Sequence, residues 1–194
     1  YPQSPYGVAK VYAHWITKNY REAYNIFAAN GILFNHESPR RGETFVTKKI
    51  VRGMVRIKYG KQNKIFLGNL NAKRDWGHAK DYVLAMWKIL QQKKPDDYVI
   101  STGNQYSIKT FTNMVASQLH MRINWIGKGL STKAKDIDKN KIIVEVDKNY
   151  FRPLDVNTLL GDSKKARREL NWKPSTDLKS MIAEMIESEK KLIN

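Results

Sequence analysis

Residues 4–36 read SPYGVAKVYAHWITKNYREAYNIFAANGILFNH, and this stretch decides the fold. Ser4-Pro5 suits the start of a helix over about Tyr6 to Ala23. A serine hydroxyl accepts from an orphan amide of the first turn, and proline's fixed φ fits that turn. Val8, Tyr12, Trp15 and Ile16 recur at helical spacing and give the helix an apolar stripe. After Gly31 the period changes. Ile32-Leu33-Phe34 is a short, β-prone apolar run, as a buried parallel strand requires. It ends at Asn35 and enters a polar loop from His36 to Gly42. Helix followed by strand in this order is the unit of a layered α/β fold.

The alternation continues outward from that stretch. A second helix is expected over Phe45 to Tyr59, with Phe45, Ile50, Met54 and Ile57 inward, then a short strand at Lys64 to Leu67. A helix over about His78 to Gln91 would bury Val83, Met86, Trp87 and Leu90. Tyr98 to Ile100 reads as a strand, and Ser107 caps a helix reaching about Leu119. Ile123 to Ile126 and Ile142 to Val146 are strand candidates, joined by a lysine-rich loop of low order from Gly127 to Asn140. Asp162 and Asp177 would cap the last two helices, the final one ending near Leu192. No internal repeat is visible.

Composition narrows the function classes. The chain has 194 residues, 41% of them hydrophobic, enough for a globular core. It holds no cysteine, which excludes disulfides, thiolate metal sites and cysteine nucleophiles together. His14, His36, His78 and His120 show no paired metal-ligand spacing, so no metal site is expected. Nothing approaches the roughly 20 apolar residues of a membrane span, and no charged-then-apolar leader opens the chain. A cytoplasmic protein is expected.

With 35 Lys+Arg against 18 Asp+Glu, the net charge is +17. Such an excess attracts polyanions, and a basic nucleic-acid-binding module is one reading of it. The basic residues are nevertheless scattered from Lys10 to Lys191 and interleaved with acids, as on solvated helix faces. No aromatic-basic signature of a nucleic-acid module accompanies them.

The chemistry-bearing constellation is Tyr6-Gly7-Val8-Ala9-Lys10. Positions i and i+4 share a helix face, so phenol and ammonium project together. A phenol is a poor base at neutral pH, and a close cation makes it a usable one. On spacing alone, a surface pair with a packed ring is the commoner arrangement.

Longer motifs point further. Ser4-Pro5-Tyr6-Gly7-Val8-Ala9-Lys10 resembles the catalytic stretch of the extended short-chain dehydrogenase/reductase superfamily. Asn35-His36-Glu37-Ser38-Pro39-Arg40-Arg41-Gly42, followed by Phe45-Val46-Thr47-Lys48-Lys49-Ile50, is similar to the GDP-mannose 4,6-dehydratase family. So are Leu67 to Val83, Tyr150-Phe151-Arg152-Pro153-Leu154-Asp155-Val156, Leu160-Gly161-Asp162 and Asn171-Trp172-Lys173-Pro174, in order along the chain. The lysine-rich segment from Gly127 to Asn140 departs from the pattern.

That resemblance implies the C-terminal part of a Rossmann-like doubly wound sheet plus a smaller α/β substrate-binding domain. Residues 1–36 would end the NADP-binding domain. Residues 37–194 would mainly bind the nucleotide sugar, with segments around 64–100 returning to the first sheet. It also implies NADP as cofactor and GDP-mannose as substrate. Tyr6 would take the proton of the mannose 4-hydroxyl and Lys10 would anchor the nicotinamide ribose, while His36 and Arg41 would contact NADP. Asn35, Lys49, Gly68, Arg74, Arg152 and Asp155 match positions that bind the GDP-sugar, where cations pair with diphosphate oxygens. The loop His36 to Gly42 would meet a neighbouring subunit in a homo-oligomer.

Plainer readings stand beside these. Asn35 at a strand end is a common turn former, His36 could be a satisfied loop histidine, and Arg74 could pair locally with Asp75. Arg152 could only cap a loop, and Trp76 and Trp172 read as packing. The chain has no Gly-x-Gly-x-x-Gly, so the pyrophosphate loop and the threonine and glutamate of the elimination step would lie upstream of Tyr1. The chain therefore reads as a fragment, inactive alone. A nucleotide-sugar epimerase or reductase of the same superfamily is the alternative activity.

Overall fold

The structure, a computed structural model, describes residues 2–151 and 156–193. Helix α1 (Pro5–Tyr24) begins as its sequence dictates: Ser4 Oγ accepts from the Gly7 amide at 3.0 Å. Its end is marked by Asn25 at φ 50, the left-handed conformation asparagine tolerates. Strand β1 (Gly31–Leu33) follows, then β2 (Asn35–Glu37), separated by Phe34, whose amide bonds the Ile100 carbonyl.

Among the described residues, six strand pairings build four sheets. β1 pairs parallel with β6 (Tyr98–Ile100), and β2 pairs parallel with β5 (Trp76–His78). β4 (Lys73–Arg74) runs antiparallel to β7 (Tyr106–Ser107). A four-stranded sheet has the order β3 (Ile65–Leu67), β10 (Lys141–Val146), β9 (Lys133–Asp136), β8 (Ile123–Ile126), with β3 and β10 parallel and the rest antiparallel. The helices between are α2 (Val46–Lys58), α3 (Ala79–Leu90), α4 (Ile108–Gln118), α5 (Lys164–Glu169) and α6 (Leu178–Lys191).

Two apolar cores organise these elements. The larger joins Ile50, Met54 and Ile57 of α2 to Phe111 and Val115 of α4, Met181 and Met185 of α6, and Ile143 and Val144 of β10. The smaller gathers Tyr82, Ala85 and Ile89 of α3 with Tyr98 and Ile100 of β6 and Ala166, Leu170 and Trp172. Trp172 packs there as the sequence suggests and donates its indole N–H to the Asp81 carbonyl at 2.8 Å. Residues 163–172 therefore share a core with the first parallel pair, although the sequence division groups them with the other part.

Several expectations need correction. Phe45 is the N-cap of α2 and lies exposed, because the helix turns Ile50, Met54 and Ile57 inward from one residue later. Helix α3 buries Tyr82, Ala85 and Ile89, and Val83, Met86, Trp87 and Leu90 face solvent. β1 is parallel as expected but half open, with Ile32 exposed. Asn35 and His36 form a strand rather than the start of a loop. The segment 127–140 is also ordered: it carries a 3-10 turn at Gly129–Ser131 and the whole of β9, which pairs on both sides. Asp162 bonds the Lys164 amide at 2.9 Å, but the cap position itself is Ser163.

Candidate functional site

Tyr6 and Lys10 stand on one face of α1, with the Lys10 Nζ 5.8 Å from the centre of the Tyr6 ring. The phenol is 73% exposed. Among the described residues, α1 contributes no buried side chain, so polar contacts hold it. Arg21 forks onto Asp97, which begins the approach to β6, with Nη1–Oδ1 2.8 Å and Nη2–Oδ2 3.2 Å. The same carboxylate accepts the Asn30 amide and side-chain N–H, both at 3.0 Å. Asn30 also donates to the His14 carbonyl at 3.3 Å. Burial alone would raise the Asp97 carboxyl, but these hydrogen bonds from Arg21 and Asn30 win and hold it at about 2.

The second cluster sits on β2 and the loop after it. His36 Nδ1 lies 2.9 Å from the Phe34 carbonyl, which can only accept, so Nδ1 is the donor there. Its ring stacks on Tyr82 with centroids 4.9 Å apart. Burial, then the charges of Asp75, Asp81 and Glu37, push the Tyr82 phenol up, so it stays a neutral platform. Glu37 is buried. It accepts from Thr47 Oγ1 at 2.6 Å and pairs with Arg41 Nε at 3.1 Å. Burial raises its carboxyl despite both partners. Arg41 lies over the Phe45 ring at 3.6 Å, and Arg40 points to solvent.

A third cluster forms where three elements end. Lys49, in the first turn of α2, places Nζ 3.4 Å from the centre of the Tyr150 ring. Gly68, just after β3, lies against the same residue: a Cβ there would fall on the Tyr150 carbonyl. Only glycine lets the two backbones approach so closely.

Asn35 and Arg74 lie on different sheets: Asn35 opposes Trp76 in the β2–β5 ladder, and Arg74, two residues before Trp76 in the chain, is on β4 and pairs with β7. Arg74 Nη1 donates to the Lys73 carbonyl at 2.9 Å. Asp75 is fully buried and holds the Thr102 amide and hydroxyl and the Gly103 amide at 2.6–2.9 Å. Lys73 bridges to Thr158, downstream of the Tyr150 cluster. Arg152 and Asp155 lie outside the described residues.

Thus Tyr6 meets Lys10, Arg41 pairs with Glu37 next to His36, and Lys49 and Gly68 both meet Tyr150, while Asn35 and Arg74 stand on strands of different sheets. No hydrogen bond, ion pair or ring contact joins Tyr6 or Lys10 to Asn35, His36, Arg41 or Lys49. Among the described residues no group of three metal-binding side chains occurs, and no helix is long and apolar enough to cross a membrane. An open hollow of about 860 Å³ between α4 and β8, lined by Lys109, Asn113, His120, Arg122 and Trp125, contains none of the candidates.

Sequence reading missed the supports of these clusters, Glu37, Thr47, Tyr82 and Tyr150, and the buried ion pair of Lys48 on α2 with Glu189 on α6. For the last pair a signal was present. Glu189 continues the spacing of Leu178, Met181, Ile182, Met185 and Ile186, an acid within an apolar stripe.

Comparison with known proteins places this geometry. A family model described as GDP-mannose 4,6 dehydratase matches residues 1–185. A GDP-mannose 4,6-dehydratase of Vibrio cholerae is 55% identical, covering 97% of this chain and 53% of that protein. The GDP-mannose 4,6 dehydratase of Homo sapiens is 49% identical, covering 100% and 52%. The chain thus spans about half the length of the curated relatives it matches. Among solved structures, RMD from Pseudomonas aeruginosa complexed with NADPH superposes with a TM-score of 0.79 at 18% identity, over 98% of this chain and 57% of that one. The dTDP-glucose 4,6-dehydratase of Bacillus anthracis in complex with NAD gives 0.76 at 18%, over 97% and 52%. Both likenesses are of fold, a Rossmann-type α/β architecture. Sequence and fold agree: the chain belongs to the GDP-mannose 4,6-dehydratase family.

Proposed function

We propose that this chain is the C-terminal portion of an NADP-dependent lyase that converts GDP-mannose to the 4-keto-6-deoxy sugar nucleotide. The observation that carries the reading is Tyr6 and Lys10 together on the exposed face of α1, in a chain of this family. Tyr6 Oη, as the phenolate that the Lys10 ammonium stabilises, takes the proton of the sugar's C4 hydroxyl and ends as the neutral phenol, while Lys10 also holds a ribose hydroxyl. Lys49, Arg74 and Arg152 balance the diphosphate charge, arginine through its planar fork. Asn35, Gly68 and Asp155 complete the contacts to the nucleotide sugar.

The residues present fit the nicotinamide-ribose end of a dinucleotide. Lys10 is exposed beside Tyr6, His36 commits Nδ1 and not Nε2 to the Phe34 carbonyl, and Arg40 is open to solvent. When bound, the nicotinamide supplies hydride acceptance and return, so that the net change at the sugar is loss of water. Arg41, already paired with Glu37, would present its remaining N–H groups to the cofactor, and Arg40 would face a second subunit of a homo-oligomer. The two apolar cores support a division into cofactor and substrate domains, with residues 163–172 counted in the first. The location in the cell that suits this chemistry is the cytoplasm.

The full-length protein, given GDP-mannose and NADP, should form the 4-keto-6-deoxy product, read by mass spectrometry as loss of 18 Da, the mass of one water. Clean epimerisation or reduction instead, with no water lost, would replace this activity by a sibling one.

A further inference from the structure

Three consecutive residues at the start of α2 reach in three directions. Thr47 donates to buried Glu37, and Lys49 faces Tyr150. Between them Lys48 is 5% exposed and forms an ion pair with Glu189, 3% exposed, in the last turns of α6. The same ammonium donates to the Pro39 carbonyl at 2.8 Å. It thus ties the loop after β2 to the far end of the chain. The loop carries Arg40 and Arg41, whose amides bond Ser38 Oγ at 3.1 Å and the Ser38 carbonyl at 3.0 Å.

A buried lysine without its carboxylate is costly, so Lys48 keeps its rotamer only while Glu189 is in place. A lysine has no fixed fork and reaches one acceptor as easily as another. It is Glu189 that aims it at Pro39. We propose that Glu189 is a positioning residue: through Lys48 it fixes the 38–42 loop, so that α6 sets a part of the site distant from it in sequence. The consequence for cofactor binding rests on the function proposed above, whereas the clamp itself does not.

A purely structural role would lower stability without singling out the loop. The other carboxylate by which α6 grips its surroundings supplies the control. Glu184 bonds His78 Nε2 at 2.7 Å, and His78 Nδ1 in turn accepts the Lys80 amide. Glu184 therefore touches the α3 start and not the loop. Hydrogen exchange is followed by mass spectrometry on the full-length protein without ligand. Glu189→Gln should speed exchange at the Arg40 and Arg41 amides about tenfold or more, the size expected when a charge-assisted hydrogen bond is lost. Glu184→Gln should leave them unchanged.

Because Glu189→Gln strands a buried cation and risks misfolding, the double variant Lys48→Met with Glu189→Leu is measured beside it. Apolar replacement of a whole buried pair is commonly neutral for stability, yet it removes the donor to Pro39. Faster loop exchange with an unchanged unfolding midpoint supports the clamp. Unchanged loop exchange in the folded double variant overturns it. Titration with NADP separates the two readings: a loosened loop with unaltered NADP affinity upholds the clamp and removes the loop from the cofactor site.

Discussion

Asp97→Asn is the perturbation that best probes how α1 is held. The helix carrying Tyr6 and Lys10 buries none of its own described side chains, so its position depends on the Arg21–Asp97–Asn30 cluster. The carboxyl lies at about 2 in the fold against an ordinary 3.8. At 1.36 kcal/mol for each pH unit, that difference bounds its contribution near 2.4 kcal/mol. The Arg21 and Asp97 side chains keep 13% and 20% of their surface in water, so screening brings the figure to about 1–2 kcal/mol. A depressed carboxyl contributes stability that is present above 3.8 and lost as pH falls towards 2. The asparagine variant should therefore show, at neutral pH, faster amide exchange over α1 by roughly 5- to 30-fold. The wild type should approach the variant as pH is lowered through that window, compared by proteolysis where exchange becomes too slow to read. If α1 amides exchange equally in both proteins at pH 7, the cluster is not what holds the helix, and the reasoning fails.

Gly68→Ala should shift the Tyr150 backbone, lowering stability by about 1–3 kcal/mol in denaturant titration and weakening GDP-mannose binding more than NADP binding. Glu37 titrates in the opposite sense to Asp97. Burial raises its carboxyl above the ordinary 4.5, so its stabilising effect is full below 4.5 and declines as pH rises through the raised value. Glu37→Gln keeps an acceptor for Thr47, and subtracting its stability–pH curve from that of the wild type should leave that decline. Trp172→Phe removes the indole donor to the Asp81 carbonyl and underfills the core around it, and should cost about 1–3 kcal/mol of unfolding free energy.

The parts legible in the sequence share a physical cause: one dominant local signal. Ser107 and Asp177 accept from the Thr110 and Ser180 amides at 2.9 and 2.7 Å and start α4 and α6 where a cap should. Tyr98 to Ile100 is a strand to the residue. Misreadings arose where two signals competed. Helix α3 carries two stripes at helical spacing, Tyr82, Ala85 and Ile89 on one side and Val83, Met86, Trp87 and Leu90 on the other. Periodicity alone does not choose between them. Packing on Leu33, Phe34 and Trp172 does. β9 reads Lys-Ala-Lys-Asp, a poor strand by propensity, and is held by ladders on both sides and by the Lys133–Glu145 pair. The candidate residues were named from motifs, but the groups that orient them were not. Tyr82 and Glu189 act through contacts between segments distant in sequence, and no local pattern assigns such partners.

The central claim is that the Tyr6 phenol, with the Lys10 ammonium beside it, moves the proton of the sugar hydroxyl. Its most direct test is the single-turnover rate of GDP-mannose conversion by the full-length protein with Tyr6→Phe. The account predicts a loss of about 10²- to 10⁴-fold in that rate with GDP-mannose affinity unchanged. A rate within a few fold of the wild type would contradict it.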